Sequence, residues 1–265
     1  MNKYLAPSHF WENNLYVKSR KEIISKSKTL FFLRDCIMFS SLQFELFLKL
    51  LPKYLNKCDK VLEIGSGPGR NLAIINKIIG CDVYGIEKSK SRYKVNQEIF
   101  KANDIDKLNV ILGDFQHLKK TKAFDSVISQ GFIEHYHNPQ QIILRQSKFL
   151  KKEGIFICSI PNFSGLNRKI QNVLNCKILS AHNLEIMNID NFSNLFDSFE
   201  PLYCGYLGIY SGRIFSTNKP FLKTLFNFLK PLRIICNILI ILFSSIFSTS
   251  KIKTGPYLLF IGRKK

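Results

Sequence analysis

The chain is poor in acid: 19 Asp and Glu stand against 39 Lys and Arg, a formal net charge of +20 over 265 residues. It has one tryptophan, nine prolines and seven cysteines, and no C-x-x-C pair. The cysteines at 36, 58, 81, 158, 176, 204 and 236 are an odd, scattered set. That argues against a disulfide framework and a zinc knuckle, and fits a reducing, cytoplasmic setting. The first residues, MNKYLAPSHFWENN, lack a basic stretch followed by an apolar one, so no secretory signal is expected. No apolar run approaches the roughly 20 residues of a membrane-spanning helix. Near the end, Ile234 to Phe247 is an apolar run of 14 residues without a charge. With 46% hydrophobic and 22% charged residues, disorder, collagen and a bare coiled coil are also excluded.

What is present is a regular alternation. Apolar strand-like runs at 60–64, 82–87, 109–112, 124–129 and 154–160 alternate with helical spacing at 70–79, 90–101 and 139–150. That order predicts an α/β fold with a parallel sheet and helices on both faces. Further on, 190–199 reads as a short helix, 203–210 as a strand and 255–263 as a last strand. Four regions follow: an N-terminal helical arm over 1–57, a core over 58–218, an apolar basic insert over 219–253, and the final core strand over 254–265. Within the arm, Phe10, Trp11 and Tyr16 are expected to dock on the core, and 29–51 to form a buried helix. From Pro201 onward there are ten Lys or Arg and no acid. An apolar helix with such flanks suits a core or lid position, or an anionic membrane surface. The basic excess also fits other anionic partners, or an AT-rich coding bias that enriches Lys, Asn, Ile and Phe.

The segment Val61-Leu-Glu-Ile-Gly-Ser-Gly-Pro-Gly-Arg70 reads as strand, glycine turn, helix. Such a turn brings a ligand close to the backbone and to the free N–H groups of the helix start. Its glycines at 65, 67 and 69 do not fit the dinucleotide spacing G-x-G-x-x-G. Glu63 suits a cofactor bearing a positive amino group better than a pyrophosphate.

These residues resemble motif I of the class I S-adenosylmethionine-dependent methyltransferases, and the other segments agree in order. The resemblance covers about residues 58–165, plus 255–263 as the reversed last strand. It implies a Rossmann-like sheet of seven strands, mostly parallel with an antiparallel last strand. It places Glu63, Gly65, Ser66, Gly67, Gly69, Glu87, Asp114, Phe115 and Gln130 at an S-adenosylmethionine site. Within it Glu87 would meet the ribose hydroxyls, and Asp114 and Phe115 the adenine. Asp125, at the start of its strand, is expected to be a structural cap. His135 and His182 are the candidate catalytic residues, with His137 a weaker one; His9 and His117 carry no role. No metal is expected, because no His/Asp/Glu group has ligand spacing in sequence.

Ser129-Gln-Gly-Phe132 lacks the N/D-P-P-Y/F pattern of enzymes that methylate adenine or glutamine amides. The expected reaction is methyl transfer to a small-molecule, sugar or lipid-linked acceptor, with oxygen the expected methylated atom, in the cytoplasm or peripheral to a membrane through 219–253. An RNA methyltransferase and a non-catalytic S-adenosylmethionine-binding protein are the alternatives; nucleic acid is the lesser partner, for want of a recognisable binding module.

Overall fold

The computed structural model describes residues 5, 27–37, 40–119, 121–209, 211, 214–217, 219–248 and 250–265. The arm's aromatic residues Phe10, Trp11 and Tyr16, and His9, lie outside the described residues. The frame is a seven-stranded sheet in the order β3-β2-β1-β4-β5-β7-β6. Its strands are β1 (Lys60–Ile64), β2 (Asp82–Glu87), β3 (Val110–Leu112), β4 (Phe124–Gln130), β5 (Leu150–Pro161), β6 (Phe199–Leu207) and β7 (Tyr257–Lys264). β1 to β5 are parallel, and β7 runs antiparallel between β5 and β6. Strand order reverses between β1 and β4, so the carboxyl ends of these two strands flank the crevice where such sheets take ligands.

The crossover helices are α1 (Arg70–Ile79), α2 (Lys90–Ala102) and α3 (Pro139–Gln146). The α1 helix buries Leu72, Ile75 and Ile78 at helical spacing, and Gly80 closes it by donating to the Ile75 and Asn76 carbonyls. Asn138 caps α3, whose first residue is Pro139. One core, with Leu72, Ile75, Val95, Ile99 and Phe100, lies under α1 and α2. The other, with Ile142, Phe156, Phe196 and Phe260, lies under α3 and the C-terminal strands. There Phe196 and Phe260 stack with ring centroids 3.8 Å apart.

Three sequence expectations are corrected. The helix expected over 139–150 ends at Gln146, because Leu150 is fully buried and pairs with Phe124 as the first residue of a longer β5. The 190–199 helix stops early at α5 (Ile189–Ser193) and a following turn, and β6 begins at Phe199 rather than near 203. The 29–51 helix is two helical stretches, 28–37 and 41–50, separated by Ser40 in extended conformation. Phe31, Cys36 and Phe47 are buried in the first core, while Leu30 and Leu33 are exposed. Between β5 and β6 the chain first forms α4 (Gly165–Asn175).

The 219–253 segment forms α6 (Pro220–Phe228) and α7 (Lys230–Ile246), parted at Leu229 ahead of Pro231. One side of α7 packs on the N-terminal helical stretches through Asn237, Ile241 and Ser244. Asn237 Nδ2 donates to Ile37 O at 2.8 Å, its Oδ1 accepts from Ser41 N at 3.3 Å, and Lys49 Nζ donates to Ser244 O. The opposite side exposes Leu232, Ile235, Leu239, Leu242 and Ile246, an apolar stripe at intervals of three and four. Among the described residues no helix is long and apolar enough to cross a membrane.

Candidate functional site

The glycine turn after β1 is shaped by its neighbours. Gly65 has φ +78°, and a Cβ there would stand 2.6 Å from the Phe132 ring. A Cβ on Gly67 would meet Glu87 Oε2 at 2.7 Å. Both positions therefore need glycine, one for its backbone and both for the close approach of a side chain. Glu87, at the end of β2, accepts from Gly67 N and from Ser89 N, each at 2.8 Å. It fastens the turn to the start of α2 while keeping further lone pairs for a ligand. Below the turn, Asn96 of α2 donates to Ser66 Oγ at 2.7 Å and fills the space beside Gly69.

Glu63, near the end of β1, is 3% exposed. Burial pushes its carboxyl up to about 8, against a hydrogen bond from Asn71 and with added repulsion from Glu87. Asn71 also donates to Gln130 Oε1 at 2.7 Å, which joins the ends of β1 and β4. Glu63 Oε2 and Gln130 Nε2 are buried and make no hydrogen bond among the described residues. One is an acceptor that can carry negative charge and the other a donor. Together they match the ammonium and the carboxylate of an amino-acid ligand, the end that S-adenosylmethionine carries. The cradle therefore fits that cofactor, and Glu63, Gly65, Ser66, Gly67, Gly69, Glu87 and Gln130 are gathered around it.

Asp114 and Phe115 follow β3 on the far side of the turn, where Gly113 N donates to Glu87 O at 2.9 Å. Asp114 pairs with Lys88 at 3.1 Å and accepts from Gln116 N at 2.9 Å. Phe115 is buried edge-to-face against Phe132, centroids 5.5 Å apart, and Phe132 in turn covers Gly65. Asp125 stands away from these groups, accepting from Lys60 N at 2.9 Å and Lys151 Nζ at 2.5 Å. Burial alone would raise its pKa, but Lys151 and the Lys60 amide hold it below the usual range.

Beyond β4 the chain makes a tight turn through Ile133–His135. Glu134 is 1% exposed, and burial pushes its carboxyl up to about 8. His135 lies beside it, with Nε2 3.7 Å from Glu134 Oε1. Burial, with repulsion from His182, holds the His135 imidazolium down to about 3, so the ring is neutral at pH 7. His182 approaches from the region after α4, its ring 4.6 Å from that of His135, and burial lowers its pKa as well. His137 and His117 are exposed. The spacing in sequence gave no reason to expect a metal, yet the fold brings ligand atoms of Glu134, His135 and His182 within 4.8 Å of one another. Sequence reading also missed Asn71 and Asn96. Their signal is weak, since each is one polar residue on a helix, and Gln130 and Ser66, which they meet, lie 30 or more residues away.

The methyltransferase domain family matches residues 55–198. A protein of Methanocaldococcus jannaschii is 29% identical over 127 residues, 48% of this chain and 46% of its own length. The ubiquinone biosynthesis O-methyltransferase of Rickettsia canadensis is 29% identical over 123 residues, 46% of this chain and 51% of its own. The chain thus spans about half the length of these curated relatives. Among solved structures, phosphoethanolamine N-methyltransferase 2 of Haemonchus contortus has the same fold, with TM-score 0.54 and 15% identity over 91% of this chain and 60% of that one. An S-adenosylmethionine-dependent methyltransferase of Thermotoga maritima does too, with TM-score 0.54 and 17% identity over 89% and 94%. Turn, sheet order and family match agree: the chain belongs to the methyltransferase domain family, and the domain is of the class I S-adenosylmethionine-dependent type.

Proposed function

We propose that this enzyme methylates an oxygen atom of a small acceptor attached to, or dissolved in, an anionic membrane surface. The observation that carries the membrane part is the exposed stripe Leu232, Ile235, Leu239, Leu242 and Ile246 on α7. Around it the chain from Pro201 onward carries ten cations and no acid, a pattern drawn to anionic headgroups. The similarity to a ubiquinone biosynthesis O-methyltransferase supports oxygen as the methylated atom.

In this reading Glu63 meets the ammonium of the cofactor and Gln130 Nε2 its carboxylate. Glu87 accepts from the ribose hydroxyls while holding the turn, and Asp114 and Phe115 border the adenine. Bound there, S-adenosylmethionine supplies a methyl group already activated on a sulfonium, so the protein chiefly positions the partners. Phe132, over Gly65, screens the cradle from water. Glu134, His135 and His182 form the polar pole of the acceptor side, one turn beyond Gln130.

The test is transfer of labelled methyl from S-adenosylmethionine by the full chain in the presence of membrane lipid extract, polar extract and total RNA. Label in an alkali-stable ether of the lipid fraction is the expected result. Label in RNA would establish the nucleic-acid reading instead, and cofactor binding without any transfer the non-catalytic one.

A further inference from the structure

Both imidazoles of the acceptor pole are held from behind. His135 Nδ1 lies 2.7 Å from Ala181 O, and His182 Nδ1 lies 2.7 Å from Ile178 O. A carbonyl oxygen can only accept, so each Nδ1 carries the proton and each Nε2 presents a lone pair. A backbone carbonyl behind the ring is how proteins fix the tautomer and direction of a metal-ligating histidine. The third member, Glu134, is 1% exposed, and its Oε2 has no hydrogen-bond partner among the described residues. Ligand atoms of the two imidazoles and of the buried Glu134 carboxyl thus lie within 4.8 Å of one another. A carboxyl that deep ionises near neutral pH only beside a positive partner. A Cβ on Gly131 would lie 3.6 Å from Glu134 Oε1, which places this carboxylate at the carboxyl end of β4, on the crevice.

We propose that Glu134, His135 and His182 bind one divalent cation of the zinc or cobalt class beside the cofactor cradle. Two imidazoles and one carboxylate suit these borderline ions, whereas magnesium and calcium prefer all-oxygen sites. Three protein ligands leave a tetrahedral ion one open position, the arrangement of catalytic rather than structural zinc. His182 is the least buried of the three. On the reading of the previous subsection, an ion here stabilises the acceptor oxygen as its O–H bond gives up the proton to solvent. That clause rests on the proposed function; cation binding does not.

The experiment uses the full chain, stripped with chelator, then titrated with zinc chloride by calorimetry and with cobalt chloride by visible absorption. Affinity for S-adenosylmethionine is measured on the same samples. The expected result is uptake of one cation per chain, with cobalt bands of nitrogen and oxygen ligation. Glu134→Gln and His182→Ala should each weaken uptake by more than the roughly 10–100-fold that loss of an outer-shell partner causes. Cys58→Ser and Cys176→Ser, at the exposed thiols, should leave it unchanged. Absence of stoichiometric uptake by protein that binds S-adenosylmethionine overturns the proposal, as does equal uptake by the Glu134→Gln variant. Glu134→Gln keeps the side-chain shape, so it carries the test if His182→Ala fails to fold. Cation uptake together with no methyl transfer to any lipid would sink the proposed function and leave the site standing.

Discussion

At Glu63 the proton is held up to about 8 by burial, well above the 4.5 of an ordinary glutamate. The sign follows from linkage: this group's contribution to stability is full below about 4.5 and is lost as pH rises through 8. An ammonium beside it would reverse that preference. Binding of S-adenosylmethionine near pH 7 should therefore release a proton from Glu63, visible as a difference in calorimetric heat between two buffers of unlike ionisation enthalpy. Glu63→Gln should abolish that difference and weaken binding; an unchanged proton count would remove Glu63 from the ammonium site. Glu87 holds the turn and, in the proposed reading, also meets the ligand. Glu87→Ala leaves the Gly67 and Ser89 amides without their acceptor. We expect a loss of about 1–3 kcal/mol in urea unfolding together with cofactor affinity at least about tenfold lower, the coupling strength of 1.4 kcal/mol. A stability loss alone, with affinity intact, would make Glu87 purely structural. Glu63 and Glu87 are legible in the sequence because each stands at a fixed distance from the glycine turn. Asn71, the partner of Glu63, is not, because its bridge from Glu63 to Gln130 is set by which strands become neighbours.

Among the elements, α7 shows how one sequence pattern admits two faces. Its apolar residues surround it almost completely, so periodicity alone does not say which side is inward. The polar residues decide. Asn237 reaches Ile37 O and Ser41 N, and Ser244 is met by Lys49, which turns that side to the N-terminal stretches. Asn237→Ala should cost about 1–3 kcal/mol by leaving buried backbone groups unpartnered, read as a lower urea midpoint. The double change Leu239→Glu and Leu242→Glu, on the exposed stripe, should leave that midpoint within about 0.5 kcal/mol of the starting value. The same change should markedly reduce sedimentation with anionic vesicles. Equal sedimentation would mean that α7 does not touch the membrane. β5 teaches a related lesson at its start. Residues 150–153 carry three charges, Lys151, Lys152 and Glu153, and look unlike a strand, yet the burial of Leu150 and its pairing with Phe124 make them one.

For the molecule as a whole, a net charge of +20 implies long-range attraction to anionic surfaces that salt screens. Vesicle binding should fall several-fold between low and physiological ionic strength and be weaker on zwitterionic lipid. Binding that ignores both salt and headgroup charge would leave the apolar stripe as the sole contact and the basic excess without a part in it. The alternation of strands and helices, the glycine turn and the reversed last strand are local patterns, each fixed by a few adjacent side chains and their periodicity. The sequence by itself therefore determined the sheet architecture, the position of the cofactor turn and the acids around it. Only the tertiary structure decided what stands across the crevice. Glu134 and His135 belong to one tight turn, but His182 comes from a separate stretch 47 positions further along, and its approach depends on how 176–182 pack over that turn. The same holds for α7, whose inward side was chosen by hydrogen bonds to residues nearly 200 positions away. Long-range pairing of this kind depends on contacts made only after collapse, and no local periodicity encodes it.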